Sequence, residues 1–309
     1  MKKMNIFLTG SSGFIGQNLL SKKRNEKLNF ISTNNLFDNN SPSIDGSTDW
    51  SHKLKNIQAI IHLAGIAHTY DVKEETYRFN NLEGTLNLAR CAAEQGVKKF
   101  IFLSSTNVYQ QDDVTTKNTQ INPTNLQAKI KYETEVKLAE ISKNYGIDII
   151  IIRSPLVYGP GVKANFAVML KLASTGVPLP FGCINHNVRS MVYVENLISL
   201  IIECVSNPSA NNQTFLISDD DDLSTKAFMQ GLSKALGKKS FMLPVPNLVF
   251  YFAGKLLGKS EIVDRLCGSF QVNISHTKNT LNWNPPFSVE QGFVATAKAF
   301  KKLNIRSKS

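Results

Sequence analysis

Short apolar runs alternate with longer stretches of helical spacing through the first half of the chain. NIFLT (5–9), NFIS (29–32), AIIHLA (59–64), KFIFLSS (99–105) and DIIIIR (148–153) are too short for buried helices and rich in β-branched or aromatic side chains. They predict five strands, and the unbroken run in the last suits a strand covered on both faces. Between them lie helical stretches at 14–23, at 73–95 with Phe79, Leu82, Leu86, Leu88 and Ala89 apolar, and around Gln127. Strand, helix, strand repeated in this way predicts an α/β fold: a doubly wound parallel sheet with right-handed crossovers.

After Arg153 the pattern changes, because Pro155, Pro160, Pro178 and Pro180 with their neighbouring glycines break up residues 154–190. RSMVYV (189–194) and QTFLIS (213–218) read as strands, Glu195 to Cys204 as a helix, and mostly helical segments follow. A first domain over 1–160 and a smaller mixed α/β lobe over 161–309, interleaved with the last strands of the sheet, are expected. The acidic run Asp219–Asp222 before LSTKAF reads as a turn and helix N-cap. PNLVFYFAGKLLGK (246–259) has two readings: packing within the smaller lobe, which is the expectation, or weak association with a membrane surface.

Composition narrows the class. At 309 residues, with 42% hydrophobic and 19% charged residues, the chain is globular in type. No stretch reaches the roughly 18–20 uninterrupted apolar residues of a membrane span, since FMLPVPNLVFYFAGKLL is broken by Pro244, Pro246 and Lys255. The start MKKMNIFLTG carries no cleavage-site pattern, and Cys91, Cys183, Cys204 and Cys267 form no CxxC pair. A cytoplasmic protein with reduced cysteines and no metal site is the expectation. The net charge of +11 favours anionic partners. Without a recognition motif or a basic run interleaved with aromatics, nucleic acid is not among those expected.

TGSSGFIG closes the first strand and places Gly10, Gly13 and Gly16 between strand and helix. A glycine turn there lets backbone approach a diphosphate, and the helix N-terminus supplies N–H donors. Further on come HLAG (62–65), NLEGTLNL (81–88), LSSTNVY (103–109), YGPG (158–161), RSMVYVENL (189–197) and NWNPPFSVEQGF (282–293). Together these resemble the extended short-chain dehydrogenase/reductase family, in particular its nucleotide-sugar epimerases, dehydratases and reductases, with a Rossmann-like fold. The likeness is strongest to bacterial surface-polysaccharide enzymes acting at C4 of UDP-N-acetylhexosamines or their 4-keto-6-deoxy forms.

The resemblance implies NAD or NADP as cofactor, a UDP-sugar substrate and a homodimer paired through residues 73–95 and 124–145. It implies a cofactor site of Gly10, Gly13, Phe14, Ile15, Gly16, Leu63, Ala64, Gly65, Asn81, Lys131, Pro155 and Val157. Ser105, Thr106, Asn165 and Arg189 would meet the substrate, Ser105 at the reacting sugar oxygen and Arg189 at the diphosphate. The choice between NAD and NADP stays open. The end of the second strand offers Thr33, Asn34 and Asn35, neither an acid for a ribose diol nor an arginine for a 2′-phosphate. Where the family often has an acidic residue beside the adenine, the resemblance places Ser43, with Asp45 close by.

One position departs from the family. Its tyrosine acid/base stands four residues before the lysine, and here that position is Gln127 ahead of Lys131. Tyr132 is five residues past Gln127, about 140° around a helix at ~100° per residue, so it faces elsewhere. Three readings follow: an active enzyme whose proton moves through Ser105, water or a tyrosine such as Tyr109; a binding protein without chemistry; or a substitution peculiar to this chain. A reductase tolerates the glutamine better than an epimerase, which needs the group in both directions.

Overall fold

The computed structural model describes residues 3–21, 26–32, 44–50, 52–66, 72–109 and 114–306, apart from the side chains of residues 164–165 and 303–306. From the N-terminus, β1 (Met4–Thr9), α1 (Phe14–Leu20), β2 (Leu28–Ser32) and β3 (Ala59–His62) lead into α2 (Glu74–Tyr77). A π-helical stretch (Arg78–Gly84) joins α2 to α3 (Thr85–Glu94). Then come β4 (Lys99–Ser105), β5 (Val114–Thr115), α4 (Leu126–Tyr145), β6 (Asp148–Ser154) and β7 (Leu156–Tyr158). The second half runs through α5 (Ala164–Thr175), β8 (Met191–Tyr193), α6 (Val194–Ser206), β9 (Thr214–Leu216), α7 (Thr225–Ala235), α8 (Asn247–Leu256) and α9 (Ser260–Cys267). It closes with β10 (Gln271–Val272), α10 (Ser275–Leu281) and α11 (Val289–Arg306).

Among the described residues the main sheet is parallel, in the order β2-β1-β3-β4-β6-β9. The two-residue period of a strand divides its apolar side chains between two cores. Ile6, Leu8, Ile61, Ile101, Ile150 and Ile152 face a core shared with α6 and the second half of the chain. Phe7, Ile60, Phe100, Phe102, Ile149 and Ile151 face one shared with α3 and α4. This two-sided burial is why the strands read as unbroken apolar runs. The chain leaves β1 for β2 on one side and β3 takes the other, so the carboxyl ends of β1 and β3 frame a switch point of the kind at which open α/β sheets bind ligands. β7 and β8 pair in parallel, as do β5 and β10, tying the halves together.

Four expectations change. RSMVYV is strand only over Met191–Tyr193; Arg189 bridges Leu223 and Phe270, and Val194 already opens α6. The acidic run does not cap α7, because Ser224 accepts the Ala227 N–H at 3.1 Å. Asp219 instead accepts from the Tyr193 N–H, Asn196 Nδ2 and Tyr158 Oη at 2.8, 2.7 and 2.8 Å. Burial raises its pKa to about 6 against the pull of those donors. Phe79 is exposed rather than core, since it sits in the π winding, where 3.6-residue spacing no longer applies. Finally, the 246–259 segment packs on the smaller lobe on one side only: α8 buries Gly254 and sets Phe250 against the core, but leaves Leu248, Val249, Phe252 and Leu256 exposed. No helix among the described residues is long and apolar enough to cross a membrane.

Candidate active site

The glycine turn is built so that only glycine fits. Gly10 has φ +70°, and a Cβ there would lie 2.6 Å from the Leu63 carbonyl carbon and 2.7 Å from the Ala64 nitrogen. A Cβ on Gly16 would lie 2.2 Å from the Gly10 oxygen. The Gly13 N–H closes the turn on the Gly10 carbonyl at 3.0 Å, and Gly13 caps α1 with no side chain in the way. The first-turn N–H groups, those of Phe14, Ile15 and Gly16, have no acceptor within the helix, and no acid competes there. Phe14 and Ile15 pack their side chains against the core behind. Backbone without side chains, facing free N–H groups, fits the diphosphate of a dinucleotide.

The loop after β3 forms the other wall. The Ala64 N–H reaches Thr9 Oγ1 at 3.3 Å, and Asn81 clamps Ile66 by accepting its N–H at 2.8 Å and donating to its carbonyl at 3.0 Å. Asn81 thus braces the strip Leu63–Gly65. Beneath it lies a buried chain absent from the sequence-based site: Thr9 Oγ1 to His62 Nδ1 at 2.8 Å, and His62 Nε2 to Thr85 Oγ1 at 2.9 Å. Thr85 gives its proton to the Asn81 carbonyl at 2.7 Å, so its oxygen accepts from His62 Nε2–H. Nδ1 is then the acceptor for Thr9. Burial, and secondarily the charge of Lys131, push His62 down to about 3, so the ring is neutral at working pH. The histidine of HLAG was visible in the sequence; its two threonines were not, because 53 and 23 residues separate them from it.

The chemistry-bearing end lies where β4 meets α4. Asn125 caps α4 by accepting the Ala128 N–H at 2.9 Å, and Gly146, in the left-handed conformation, ends it. Lys131 donates to the Leu103 carbonyl at 2.8 Å, with its ammonium 4.5 Å from the Phe102 ring centroid. Burial lowers its pKa to about 8, with Glu135 pulling the other way. Ser105, half-buried at the end of β4, accepts the Asn107 N–H at 3.2 Å. Its hydroxyl proton goes to no acceptor among the described residues. Thr106 is buried, its hydroxyl 3.5 Å from the Ser154 carbonyl, so it links strands rather than standing open beside Ser105. Gln127 is exposed, and its amide donates to the Tyr77 phenol oxygen at 3.1 Å.

Tyr109 is not poised as an acid. Arg153 donates to its oxygen at 2.5 Å and lies over its ring, while burial raises its pKa. The same guanidinium holds Glu135 through Nη2 at 2.5 Å and Nε at 3.2 Å. Glu135–Arg153–Tyr109 is therefore a buried brace that locks α4 to β6 below Lys131.

Pro155 is buried and Val157 half-buried just past β6, whose Ser154 lies in register with Ser105. Arg189 is half-buried, donates to the Gly268 carbonyl at 3.1 Å and has no carboxylate partner among the described residues. Burial first, and Arg265 second, lower its pKa, which marks a spot short of negative charge. The Asn165 side chain lies outside the described residues, as do Thr33, Asn34, Asn35 and Ser43. Asp45 uses its carboxylate on its own turn, accepting from the Ser47 N–H at 2.9 Å and the Ser47 hydroxyl at 2.8 Å.

Comparison with known proteins agrees with this geometry. Residues 6–218 match the NAD dependent epimerase/dehydratase family. The chain is 43% identical to a UDP-glucose 4-epimerase of Vibrio cholerae, covering 97% of each. It is 26% identical to an N-acetyl-alpha-D-glucosaminyl-diphospho-ditrans,octacis-undecaprenol 4-epimerase of Escherichia coli O157:H7, over 94% of each. Among solved structures, the UDP-N-acetylglucosamine 4-epimerase of Bacillus cereus superposes with a TM-score of 0.77 at 18% identity, over 97% of this chain and 99% of that one. The chain belongs to the NAD-dependent epimerase/dehydratase family, enzymes that act on sugar nucleotides with a nicotinamide cofactor.

Proposed function

We propose that this chain is a cytoplasmic NAD(P)-dependent enzyme acting at C4 of a UDP-N-acetylhexosamine or its 4-keto-6-deoxy form, as 4-epimerase or 4-reductase in bacterial surface-polysaccharide synthesis. The observation that carries the reading is the half-buried Ser105 hydroxyl, with a proton to give, two residues past the Leu103 carbonyl that holds Lys131, a lysine tuned to about 8. When bound, the nicotinamide supplies or takes the hydride at C4. Ser105 would hold the C4 oxygen, and Lys131 would hold the nicotinamide ribose and supply positive charge while protonated. Pro155 and Val157 would line the nicotinamide, and Arg189 would receive the diphosphate, where a guanidinium lacking a carboxylate suits phosphate oxygens. Pairing of two copies through α2–α3 and α4 belongs to the same proposal. Phe79, in the winding between α2 and α3, and Val136 of α4 are apolar and exposed, which supports it.

Gln127 cannot titrate, and losing a general acid/base forfeits about 10²–10⁴ in rate. With Tyr109 engaged by Arg153, the proton route left to the chain is Ser105 and water. This favours reduction of a ketone, which needs one proton in one direction. The same glutamine supports a second reading, a protein that binds nucleotide sugar without turning it over.

One experiment decides between them. UDP-N-acetylhexosamines, UDP-glucose and 4-keto-6-deoxy sugar nucleotides are supplied with each cofactor to wild type and Gln127→Tyr. The tyrosine variant is expected to gain about 10²-fold or more. Activity should fall as pH rises through about 8 and Lys131 loses its charge. A variant that binds cofactor yet gains nothing sinks the lost-acid account. Wild-type turnover equal to the tyrosine variant's dismisses the binding-protein reading.

A further inference from the structure

α8 and α9 form a hairpin closed at Gly254, where a Cβ would lie 2.5 Å from Val263 Cγ2. Phe250 ties α8 to the body by stacking on Phe181, with ring centroids 6.1 Å apart. The opposite side is apolar and open. Leu248, Phe252 and Leu256 are 79%, 74% and 76% exposed. They stand four residues apart, so they line up as one stripe, which Val249 widens. Leu257 extends the exposed apolar surface past the helix end. A contiguous patch of this kind on a folded chain marks a surface that meets something other than water.

The surrounding charge identifies what covers it. The stripe-bearing helix and the turn after it carry Lys255 and Lys259 and no carboxylate side chain, while the acids of the hairpin, Glu261 and Asp264, lie on α9, where Glu261 pairs with Arg265 at 3.4 Å. Lys255 and Lys259 are exposed on the hairpin itself. A second copy on the stripe would set these lysines against its own, a like-charge juxtaposition that disfavours pairing. An anionic bilayer offers hydrocarbon to the stripe and opposite charge to the lysines.

We infer that α8 seats this protein on an anionic membrane surface, with its stripe in the boundary between headgroups and acyl chains and Lys255 and Lys259 against lipid phosphates. Ten residues of helix lie on a bilayer rather than cross it, so the attachment is peripheral and reversible. The docked hairpin adjoins Arg189, which bonds the carbonyl of Gly268 immediately after α9, and Arg265 of α9 adds its charge nearby. Diphosphate-bearing substrate would therefore be received next to the lipid surface.

The test is flotation of the full chain with phosphatidylcholine vesicles, with and without phosphatidylglycerol. No sugar or cofactor is present, so the result does not depend on the catalytic reading. Wild type should rise with the phosphatidylglycerol vesicles. The triple variant Leu248→Ser, Phe252→Ser, Leu256→Ser should bind at least about tenfold less at an unchanged melting temperature. The pair Lys255→Glu, Lys259→Glu should lose the preference for anionic lipid. Wild type left in the dense fraction with both vesicles overturns the inference, as does a triple variant that floats like wild type. A dimer that the serines split into monomers, without flotation of either form, would assign the stripe to a second copy and overturn it equally.

Discussion

The glycine turn after β1 and the α8–α9 hairpin both bring chain segments too close for a Cβ: 2.2 Å to the Gly10 oxygen at Gly16, and 2.5 Å to Val263 Cγ2 at Gly254. Their outer faces are opposites. At the turn the outer face is backbone N–H groups of α1 held open for a ligand, over side chains that meet fixed partners, such as the threonine pair on His62. On the hairpin the outer face is leucine and phenylalanine in the open, with lysines beside them. Tight backbone packing therefore does not predict what a surface meets; the polar satisfaction of the side chains around it does. The first region is shaped for a ligand with defined charges, the second for an apolar contact.

Substitutions can break or sharpen that contrast. The largest effect is expected from Glu135→Ala, which leaves the Arg153 guanidinium buried without its carboxylate. Urea denaturation should show a loss of about 3–5 kcal/mol. Gly16→Ala comes next, at about 2–3 kcal/mol, because backbone rather than a movable side chain opposes the new methyl. Cofactor titration should fail in the same variant. Gly254→Ala, opposed by a side chain, should cost less and leave cofactor affinity as it was; equal losses of affinity would erase the distinction between the regions.

A smaller effect comes from His62. Its folded pKa is depressed, so the stability it contributes is complete above about 6.5 and is lost as pH falls toward about 3. By pH 5 that amounts to about 2 kcal/mol. Thermal melts of wild type should therefore drop more steeply below pH 6.5 than those of His62→Asn, and parallel curves would remove the histidine from this role. The smallest effect belongs to Leu248→Ser, within about 0.5 kcal/mol by the same denaturation, since the side chain is already in solvent.

Much of the first region was legible in the sequence for a physical reason. Strands buried on both faces leave unbroken runs such as AIIH and DIIIIR, and a turn that forbids Cβ atoms leaves glycines at fixed spacing. Asn125 and Gly146 likewise bracket α4 through local chemistry that needs no tertiary knowledge. Contacts made across long separations were not legible. Tyr109 looked available because Arg153, 44 residues on, was not yet beside it. Asp219 looked like a cap because its donors at Tyr158, Tyr193 and Asn196 lie elsewhere in the chain. The hairpin misled for another reason. An apolar periodicity shows that a face will avoid water without naming its partner, and the default partner is the protein's own core.

The π winding of Arg78–Gly84 bears on which changes of chain length the site can absorb. A widened turn takes up an extra residue without rotating the helix on either side of it. Dropping one residue there lets the turns tighten to the α form while Tyr77 and Thr85 keep the faces they now present. The same deletion between Gln127 and Lys131 would swing one about 100° away from the other. Of the two helical segments that meet through the Gln127–Tyr77 hydrogen bond, one can therefore lose a codon in frame and keep its phase, and the other cannot.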